Sequence, residues 1–503
     1  MSATPDRADG NDGNHAGASR ATRLSGAALQ QFLDEPITDA ALALWFGHVS
    51  ISALLRNPQR VRALLDFDIA SIDALMSAQL TAILHAPAFW ALEATWAGVE
   101  YLAGVIDKGD RVRLRILNVS WPELARDFER AADFDQSTLF EMIYSQEFGR
   151  AGGEPFGLLV GDYYVSHRHG RGHATDDVAA LKSMAATAAA AFAPFVCGCS
   201  PEILGLDDFR PLSAELDLDG IFRHEEYARW HSLRELEDGR FVGLCLPRVL
   251  LRGPRSDTAK GAAPFRFLEV HEDSAPDGCL WGNAAFALAA ITIRAFVQTG
   301  WFADIRGVRR GETGGGLVPD LPIVAFATDA PPIAFKHPVE VAVSDRQERR
   351  LGEWGFIPVS VVEYVPAAIF YSNQSLHRYG RYTEAAATAN AQLSGMLQYM
   401  LCVARFAHAV KMIGRERIGA FTTAAECQTL MQNWVTRYVT ANPGASLELR
   451  SRFPLREARV TVVEDPVRPG TLKLNMYLRP HLQLDDISTG IRLTSELTVP
   501  RAA

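Results

Sequence analysis

The stretch ARVTVVEDPVRPGTLKLNMYLRP, residues 458–480, decides the structure of the last part of the chain. Apolar and polar residues alternate on both sides of a central EDPVRPG segment. A period of two is typical of strands that have one buried and one solvent-exposed face. Proline and glycine within residues 465–470 indicate a turn, so the stretch predicts two neighbouring strands. A third strand follows, with its apolar positions at Ile491, Leu493 and Leu497.

The open question for these strands is what they pair with. A strand with one wet face and an unpaired backbone edge can pair with another chain. The residues alone leave two possibilities equally open, a sheet within one chain and a sheet shared between subunits. The apolar positions on which either sheet depends are Val460, Val462, Leu472, Leu474, Met476, Leu478, Ile491 and Leu493.

The rest of the chain mixes helical and strand periods, which indicates an α/β (mixed α+β) fold. The spacing predicts helices over 72–84, 124–140 (with Asp135 as a cap before Leu139), 176–192, 382–413 and 423–439. It predicts short strands over 113–119, 156–160 and 195–199. We therefore divide the chain into a disordered tail (1–25), an N-terminal helical or linker region (26–70), a main α/β body (71–380) and a C-terminal region of two helices and strands (381–503).

Composition excludes several classes of protein. The chain has 503 residues, 48% hydrophobic and 22% charged, which is typical of a globular protein rather than a disordered polymer or a fibre. A formal charge of −9 does not favour nucleic-acid binding. The apolar runs 184–199 and 280–297 are too short or too polar to span a membrane. We therefore expect a soluble, cytoplasmic protein with no direct membrane insertion.

Motifs for chemistry are incomplete. His224 and His231 are seven residues apart, too far along a helix for one zinc ion. The histidines of SHRHGRGH (167, 169 and 173) are more typical of a solvated loop. The GETGGG loop at 311–316 lacks the lysine that a phosphate loop requires, and indicates a flexible surface loop. The sequence therefore predicts no catalytic, cofactor-binding or metal-binding residue.

Long segments in collinear order carry a resemblance. They include QLTAILHAPAFWALEATWAGVEYL (79–102), RILNVSWPELARDFE (115–129), LWGNAAFALAAITIRAF (280–296), ANAQLSGMLQYMLCVARFAHAVKMIGRERIG (389–419) and the C-terminal strands up to residue 497. The chain resembles the large subunit of the type VI secretion contractile sheath, the TssC (VipB) family, over residues 72–497. The departures are Ala97 in place of the family's usual arginine, a longer glycine-rich loop, and residues 1–70.

The resemblance implies a structural protein with a phage-tail-sheath-like, multidomain fold and no enzymatic activity. It implies an obligate heterodimer with a small sheath subunit (TssB/VipA-like), and further copies of the chain in a helical polymer around an Hcp inner tube. It also implies a bacterial cytoplasmic sheath docked to an envelope-anchored baseplate. A ClpV-type ATPase would dismantle that sheath, mainly through the small subunit. No cofactor is implied.

The resemblance also favours strand exchange between subunits at the C-terminal strands. Two alternatives remain. One is a sheath protein of another contractile injector of the phage-tail type, which a different small partner would reveal. The other is a nucleotide- or metal-dependent hydrolase, which would need the 311–316 loop or the histidine cluster to take part in chemistry.

Overall fold

The computed structural model describes residues 26–46, 56–150, 152–170, 173–255, 265–269, 278–308, 314–326, 334–362, 365–380, 382–416, 423–442, 446–464, 471–481 and 491–498. The chain separates into two compact units. The first comprises Met1–Leu92 with Pro254–Cys279, and the second comprises Glu93–Gly253 with Leu280–Ala503.

The N-terminal segment of the first unit is helical over most of its described residues, whereas the described residues of its 254–279 segment form no helix. Helices α1 (Gly26–Asp34) and α2 (Thr38–Phe46) precede a long α3 (Pro58–Leu84), and α4 (Pro87–Gly104) begins in this unit. The Asn57 side chain caps α3 by accepting a hydrogen bond from the Arg60 N–H, and proline occupies the first helical position. The Trp45 indole donates to the Asp68 carboxylate at 2.9 Å, which ties α2 to α3.

The body of the second unit contains many short elements. Its described helices are α5 (Trp121–Arg130), α6 (Thr138–Phe140), α7 (Gln146–Gly149), α8 (Asp177–Ala191), α9 (Leu218–Ile221), α10 (Ala228–Arg234), α11 (Ala284–Thr299) and α12 (Asp345–Glu353). Its strands are β1 (Leu159–Val165), β2 (Phe195–Cys199), β3 (Val242–Leu246), β4 (Val249–Arg252), β5 (Leu280–Gly282), β6 (Val324–Phe326), β7 (Ala334–Lys336), β8 (Phe356–Pro358), β9 (Ser360–Val362) and β10 (Val365–Ile369).

A parallel sheet of order β1-β2-β3-β8 forms the centre of this body. Every side chain of β2 and β3 is buried, as expected for parallel strands that are covered on both faces. Helix α8 crosses from β1 to β2, and α11 also packs against this sheet. The strands β4 and β5, β6 and β7, and β9 and β10 form separate antiparallel pairs.

The C-terminal part of the unit is a helix-on-sheet layer. Its helices are α13 (Ala385–Ser394), α14 (Leu397–Glu416), α15 (Ala424–Thr436) and α16 (Leu447–Arg452). Its antiparallel sheet has the order β11 (Leu455–Glu464), β12 (Thr471–Pro480), β13 (Ile491–Thr498). The buried face of β11 and β12 packs against Phe406 of α14 and against Cys427, Met431 and Val435 of α15.

The structure confirms several predicted elements. The three C-terminal strands and the strand at 195–199 are present. The helix predicted over 176–192 runs from Asp177 to Ala191, with Asp176 as its N-cap because the Asp176 carboxylate accepts from the Ala179 N–H. The strand predicted at 156–160 begins later, as β1. The predicted tail (1–25) and turn (465–470) lie outside the described residues.

Three predictions of local structure are wrong. Residues 113–119 form neither a strand nor a helix. The helix predicted over 124–140 ends at Arg130, and Ser137 rather than Asp135 caps the turn that contains Leu139. The helix predicted over 382–413 is divided at Gly395, whose carbonyl accepts from the Ser375 N–H at 3.0 Å. Tertiary hydrogen bonding overrides helical periodicity at that point.

Sequence reasoning about membrane-spanning segments considered residues 184–199 and 280–297 and missed helix α3, which is also apolar. By length and composition it could cross a membrane, with a mean hydropathy of 1.3 over its most apolar window, and it is the one such helix among the described residues. A single helix of this kind is weak support for membrane insertion, because the same test accepts helices of soluble proteins.

The packing of the C-terminal sheet generates a stability prediction. Val460 is 2% exposed, whereas Val463 on the same strand is 45% exposed. We expect Val460→Ala to lower the free energy of unfolding by about 1.5–3 kcal/mol, because it removes buried methyl groups and leaves a cavity. Val463→Ala, the matched control, should cost less than about 0.5 kcal/mol. Urea unfolding of the full chain checks both variants, and equal losses would contradict this packing.

Candidate assembly interface

The sequence-predicted interface residues lie on the C-terminal sheet, and most of them are in the chain's own core. Six of the eight side chains are buried against α14 and α15. These six are Val460, Val462, Leu472, Leu474, Met476 and Leu478. For Ile491 and Leu493 the structure describes only the backbone, which pairs with β12. The apolar face is therefore occupied within the subunit, and what these strands can offer to a partner is their backbone edge.

The outer edge of β11 is closed by two glutamines of α15. The Val460 N–H donates to Gln432 Oε1 at 2.8 Å, and the Val462 N–H donates to Gln428 Oε1 at 3.1 Å. Gln432 Nε2 in turn donates to the Ala458 carbonyl at 3.2 Å. These bonds satisfy the backbone groups that would otherwise be available to another strand, so β11 is a protected edge.

The outer edge of β13 has no second strand beside it among the described residues, where β13 pairs only with β12 and α14 packs close to it. The backbone N–H of Val460 points away from β12. The backbone groups of Met476, its neighbour across the ladder, therefore point toward β13 and bond with Leu493. The alternating pattern of an antiparallel ladder then directs the N–H and C=O groups of Arg492, Thr494 and Glu496 outward. The sheet thus has one closed and one open edge.

The exposed face of α3 is a second unpartnered surface, within the first unit. Its large apolar side chains are between one-third and two-thirds exposed. They are Phe67, Ile69, Leu75, Met76, Leu80 and Ile83. Of these, Ile69, Met76, Leu80 and Ile83 recur at intervals of seven, four and three residues and share one side of the helix. Exposed apolar surface on one side of a helix is typical of protein or membrane interaction sites. Sequence reasoning missed it, although the apolar composition of this helix was a visible signal.

The described histidines of the cluster make contacts of other kinds. The His167 ring stacks on Tyr227 with 4.1 Å between ring centroids, and burial lowers its pKa. His173 Nδ1 lies 3.0 Å from the Asp177 carboxylate, and this hydrogen bond raises the pKa of His173. His231 Nε2 lies 2.8 Å from the Phe222 carbonyl. Across the described ranges no three His, Cys, Asp or Glu side chains are grouped to hold a metal ion.

The glycine-rich loop is a packing element in its described part, so the prediction of a flexible surface loop is wrong for Gly314–Gly316, which are buried. The Arg294 guanidinium donates to the carbonyls of Gly315 and Leu317. A Cβ at Gly316 would lie 1.9 Å from the Phe370 carbonyl oxygen, so only glycine fits there. Residues 311–313 lie outside the described part.

The cysteines are also structural. Cys197 and Cys199 on β2 and Cys245 on β3 are free thiols within the central sheet. Burial raises the pKa of all three, which keeps them protonated at neutral pH. A protonated, buried thiol is a poor nucleophile and a poor metal ligand.

Comparison with protein families gives two collinear matches. Residues 66–377 match the family model described as "EvpB/VC_A0108, tail sheath N-terminal domain" (VipB). Residues 386–497 match the model described as "EvpB/VC_A0108, tail sheath gpW/gp25-like domain" (VipB_2). The second match contains the helices and strands of the C-terminal layer.

Comparison with individual proteins agrees. The chain is 38% identical over 438 residues to the type VI secretion system sheath protein TssC1 of Pseudomonas aeruginosa, and the match covers 86% of each chain. A crystal structure of the sheath tail protein from Desulfitobacterium hafniense aligns with a TM-score of 0.29 and 9% identity. That alignment covers 63% of this chain and 60% of the other.

The closed edge of β11 generates a prediction. In Gln428→Ala/Gln432→Ala the outward N–H groups of Val460 and Val462 lose their acceptors. We expect the amides of residues 455–464 to exchange at least tenfold faster with solvent deuterium, since each lost hydrogen bond is worth about 1 kcal/mol. Hydrogen exchange with mass spectrometry measures this change. Asn433→Ala, at an exposed position of the same helix, is the control. Unchanged exchange in the double variant would show that the glutamines do not close the edge.

Proposed function

The chain belongs to the VipB (EvpB) family of tail sheath proteins and is a structural large subunit of a type VI secretion sheath; we propose that the open edge of β13 joins it to its neighbours. The observation that carries the proposal is the asymmetry of the C-terminal sheet: glutamine side chains accept from the outward N–H groups of β11, whereas among the described residues no strand pairs with the outer edge of β13. An open strand edge is a template for a strand from another chain.

Backbone pairing suits a contractile polymer. Main-chain hydrogen bonds depend little on side-chain packing, so a shared sheet can hold subunits together while the surfaces of their bodies exchange contacts. The side chains of β11 and β12 stay inside each subunit's own core, which keeps the sheet folded during such a movement. The strand edge therefore acts as a tether, and contraction propels the inner tube.

The proposed partners follow from the same role. We expect an obligate heterodimer with a small sheath subunit (TssB/VipA-like), and copies of the chain in a helical polymer around an Hcp tube. The sheath would stand on an envelope-anchored baseplate in the bacterial cytoplasm, and a ClpV-type ATPase would dismantle it. The exposed apolar face of α3 supports the need for a protein partner, because water-exposed apolar surface is stabilised by cover.

The proposal includes no catalytic activity. It is supported by the histidine, cysteine and glycine-loop residues, which are engaged in hydrogen bonds, stacking or packing in their described parts. It also includes no nucleic-acid partner, which agrees with the net charge of −9.

The tether generates a prediction. Thr494→Pro removes an N–H that points away from β12, so the chain's own ladder is kept while a neighbour's strand loses a donor. We expect the heterodimer with the small sheath subunit to form at the normal yield, and sheaths to be short or absent by electron microscopy. Thr494→Val, which keeps the N–H, is the matched control and should give long sheaths.

Two results would count against the tether. Sheaths of normal length from Thr494→Pro would show that this edge does not join subunits. If Thr494→Pro forms no heterodimer and also shows no thermal unfolding transition, β13 belongs to the folding core instead.

A further inference from the structure

The segment 111–119, RVRLRILNV, forms neither helix nor strand and pairs with no strand in the described part of the molecule. Sequence alternation predicts a strand over 113–119 of it. Among the described residues, its one backbone hydrogen bond joins the Val119 carbonyl to the Tyr163 hydroxyl, which donates at 2.8 Å. Leu114, Ile116 and Leu117 are between two-fifths and two-thirds exposed. This segment therefore has strong strand propensity and backbone groups with no described partner, so it can pair with a neighbouring strand.

A cavity of about 680 Å³ lies beside this segment, entirely within the second unit. Residues 110–115 line one side of it, and residues 154–158 with Val160 line another. Its remaining lining is mostly apolar and comes from α4, α11, α14 and the residues that follow α4 and α11, including Ile293, Phe296 and Leu401. The volume falls within the range of cavities that hold a ligand of several hundred daltons.

The second side of the cavity also has a free edge. β1 is the outermost strand of the parallel sheet in the described chain, with β2 as its neighbour. The Leu159 N–H donates toward β2, to the Pro194 carbonyl at 2.8 Å, so the flanking Leu158 and Val160 direct their backbone groups the other way. An extended peptide in this cavity would thus meet unpaired backbone on two sides.

One cation in the cavity has no anionic partner. The Arg405 guanidinium of α14 stacks over Phe296 at 4.7 Å and Trp301 at 5.3 Å from the ring centroids. Among the described residues no carboxylate lies within ion-pair distance of it, and burial lowers its pKa. The neighbouring His408 is neutral, because burial lowers its pKa to about 4. A desolvated guanidinium over aromatic rings is a site for a carboxylate.

We propose that this cavity binds an extended segment of a different protein, with alternating apolar residues and one carboxylate that reaches Arg405. The carboxylate would pair with the guanidinium, and the apolar side chains would cover the surface of α11 and α14. The backbone would add a strand to the free edge of β1 or of residues 111–119.

A second copy of this chain does not fit. The described apolar strands β11, β12 and β13 of a copy are already paired in its own sheet. The segment 111–119 of a copy would bring a second Arg111, Arg113 and Arg115, whereas the nearby carboxylates of Glu147 and Glu154 are already paired with Arg115 and Arg113 of the same chain. Like charges at such short range repel. Binding of a partner segment in this cavity deepens the proposed function, and the choice of partner rests on that function. The residues that line the cavity are separate from the β13 edge.

The test uses the full chain, and the probe is the small sheath subunit, which is co-expressed with it. Arg405→Met keeps a long apolar side chain over the aromatic rings and removes the charge. Leu114→Glu adds a repelling carboxylate at an exposed position of the cavity wall. We expect each variant to weaken heterodimer formation at least tenfold in a pull-down titration. Arg459→Met, at an exposed position on β11, is the control and should bind normally.

Hydrogen exchange supplies the second readout. We expect the amides of residues 111–119 and 156–160 to exchange at least tenfold more slowly in the heterodimer than in the chain alone. Normal binding by both variants, or equal exchange in the two states, would overturn the proposal. Protection that appears on self-association of the chain alone would overturn the choice of a different protein. None of these outcomes changes the expected effect of Thr494→Pro on sheath length, so failure here is separable from failure of the tether.

Discussion

The need of every backbone N–H and C=O group for a hydrogen-bond partner governs this subunit more than any single side chain. An unpaired buried backbone group costs about 1–3 kcal/mol, which is large compared with the stability of a typical domain. The helices meet this need internally, and so does the central sheet except along the outer edge of β1. The C-terminal sheet meets it at β11 with Gln428 and Gln432, whereas the outer edge of β13 pairs with no described strand. We propose that the contrast between these edges joins the chain to its neighbours.

In this arrangement the side chains and the backbone of the C-terminal sheet have different roles. Side chains such as Leu474 and Met476, both 0% exposed, give the sheet its stability within one chain. The backbone edge gives it the capacity to join another chain. A polymer that contracts needs both properties, because its subunits must stay folded and connected while their outer surfaces change neighbours. The exposed face of α3 and the cavity beside residues 111–119 add surfaces that a lone subunit leaves uncovered.

Much of the fold follows from periodicity in the sequence. Alternation at Leu472, Leu474 and Met476 predicts β12 and its buried face, and the structure confirms both. Local signals also locate α8, since Asp176 is a typical N-cap. The break at Gly395 was not predictable, because it depends on a hydrogen bond to Ser375 that is distant in sequence until the chain folds. The unpaired state of residues 113–119 was missed for a related reason. Alternation reports the capacity to form a strand, and not the presence of a neighbour.

The choice between edges was likewise beyond the sequence. Gln428 and Gln432 are ordinary helix residues in a one-dimensional pattern, and only their position over β11 gives them a role. The measurement that tests this central point most directly is residue-resolved hydrogen exchange on the chain before and after sheath assembly. The account predicts that the amides of Arg492, Thr494 and Glu496 become protected on assembly, whereas those of Val460 and Val462 are protected in both states. New protection at Val460 and Val462, with free exchange at Thr494 in the assembled sheath, would contradict it.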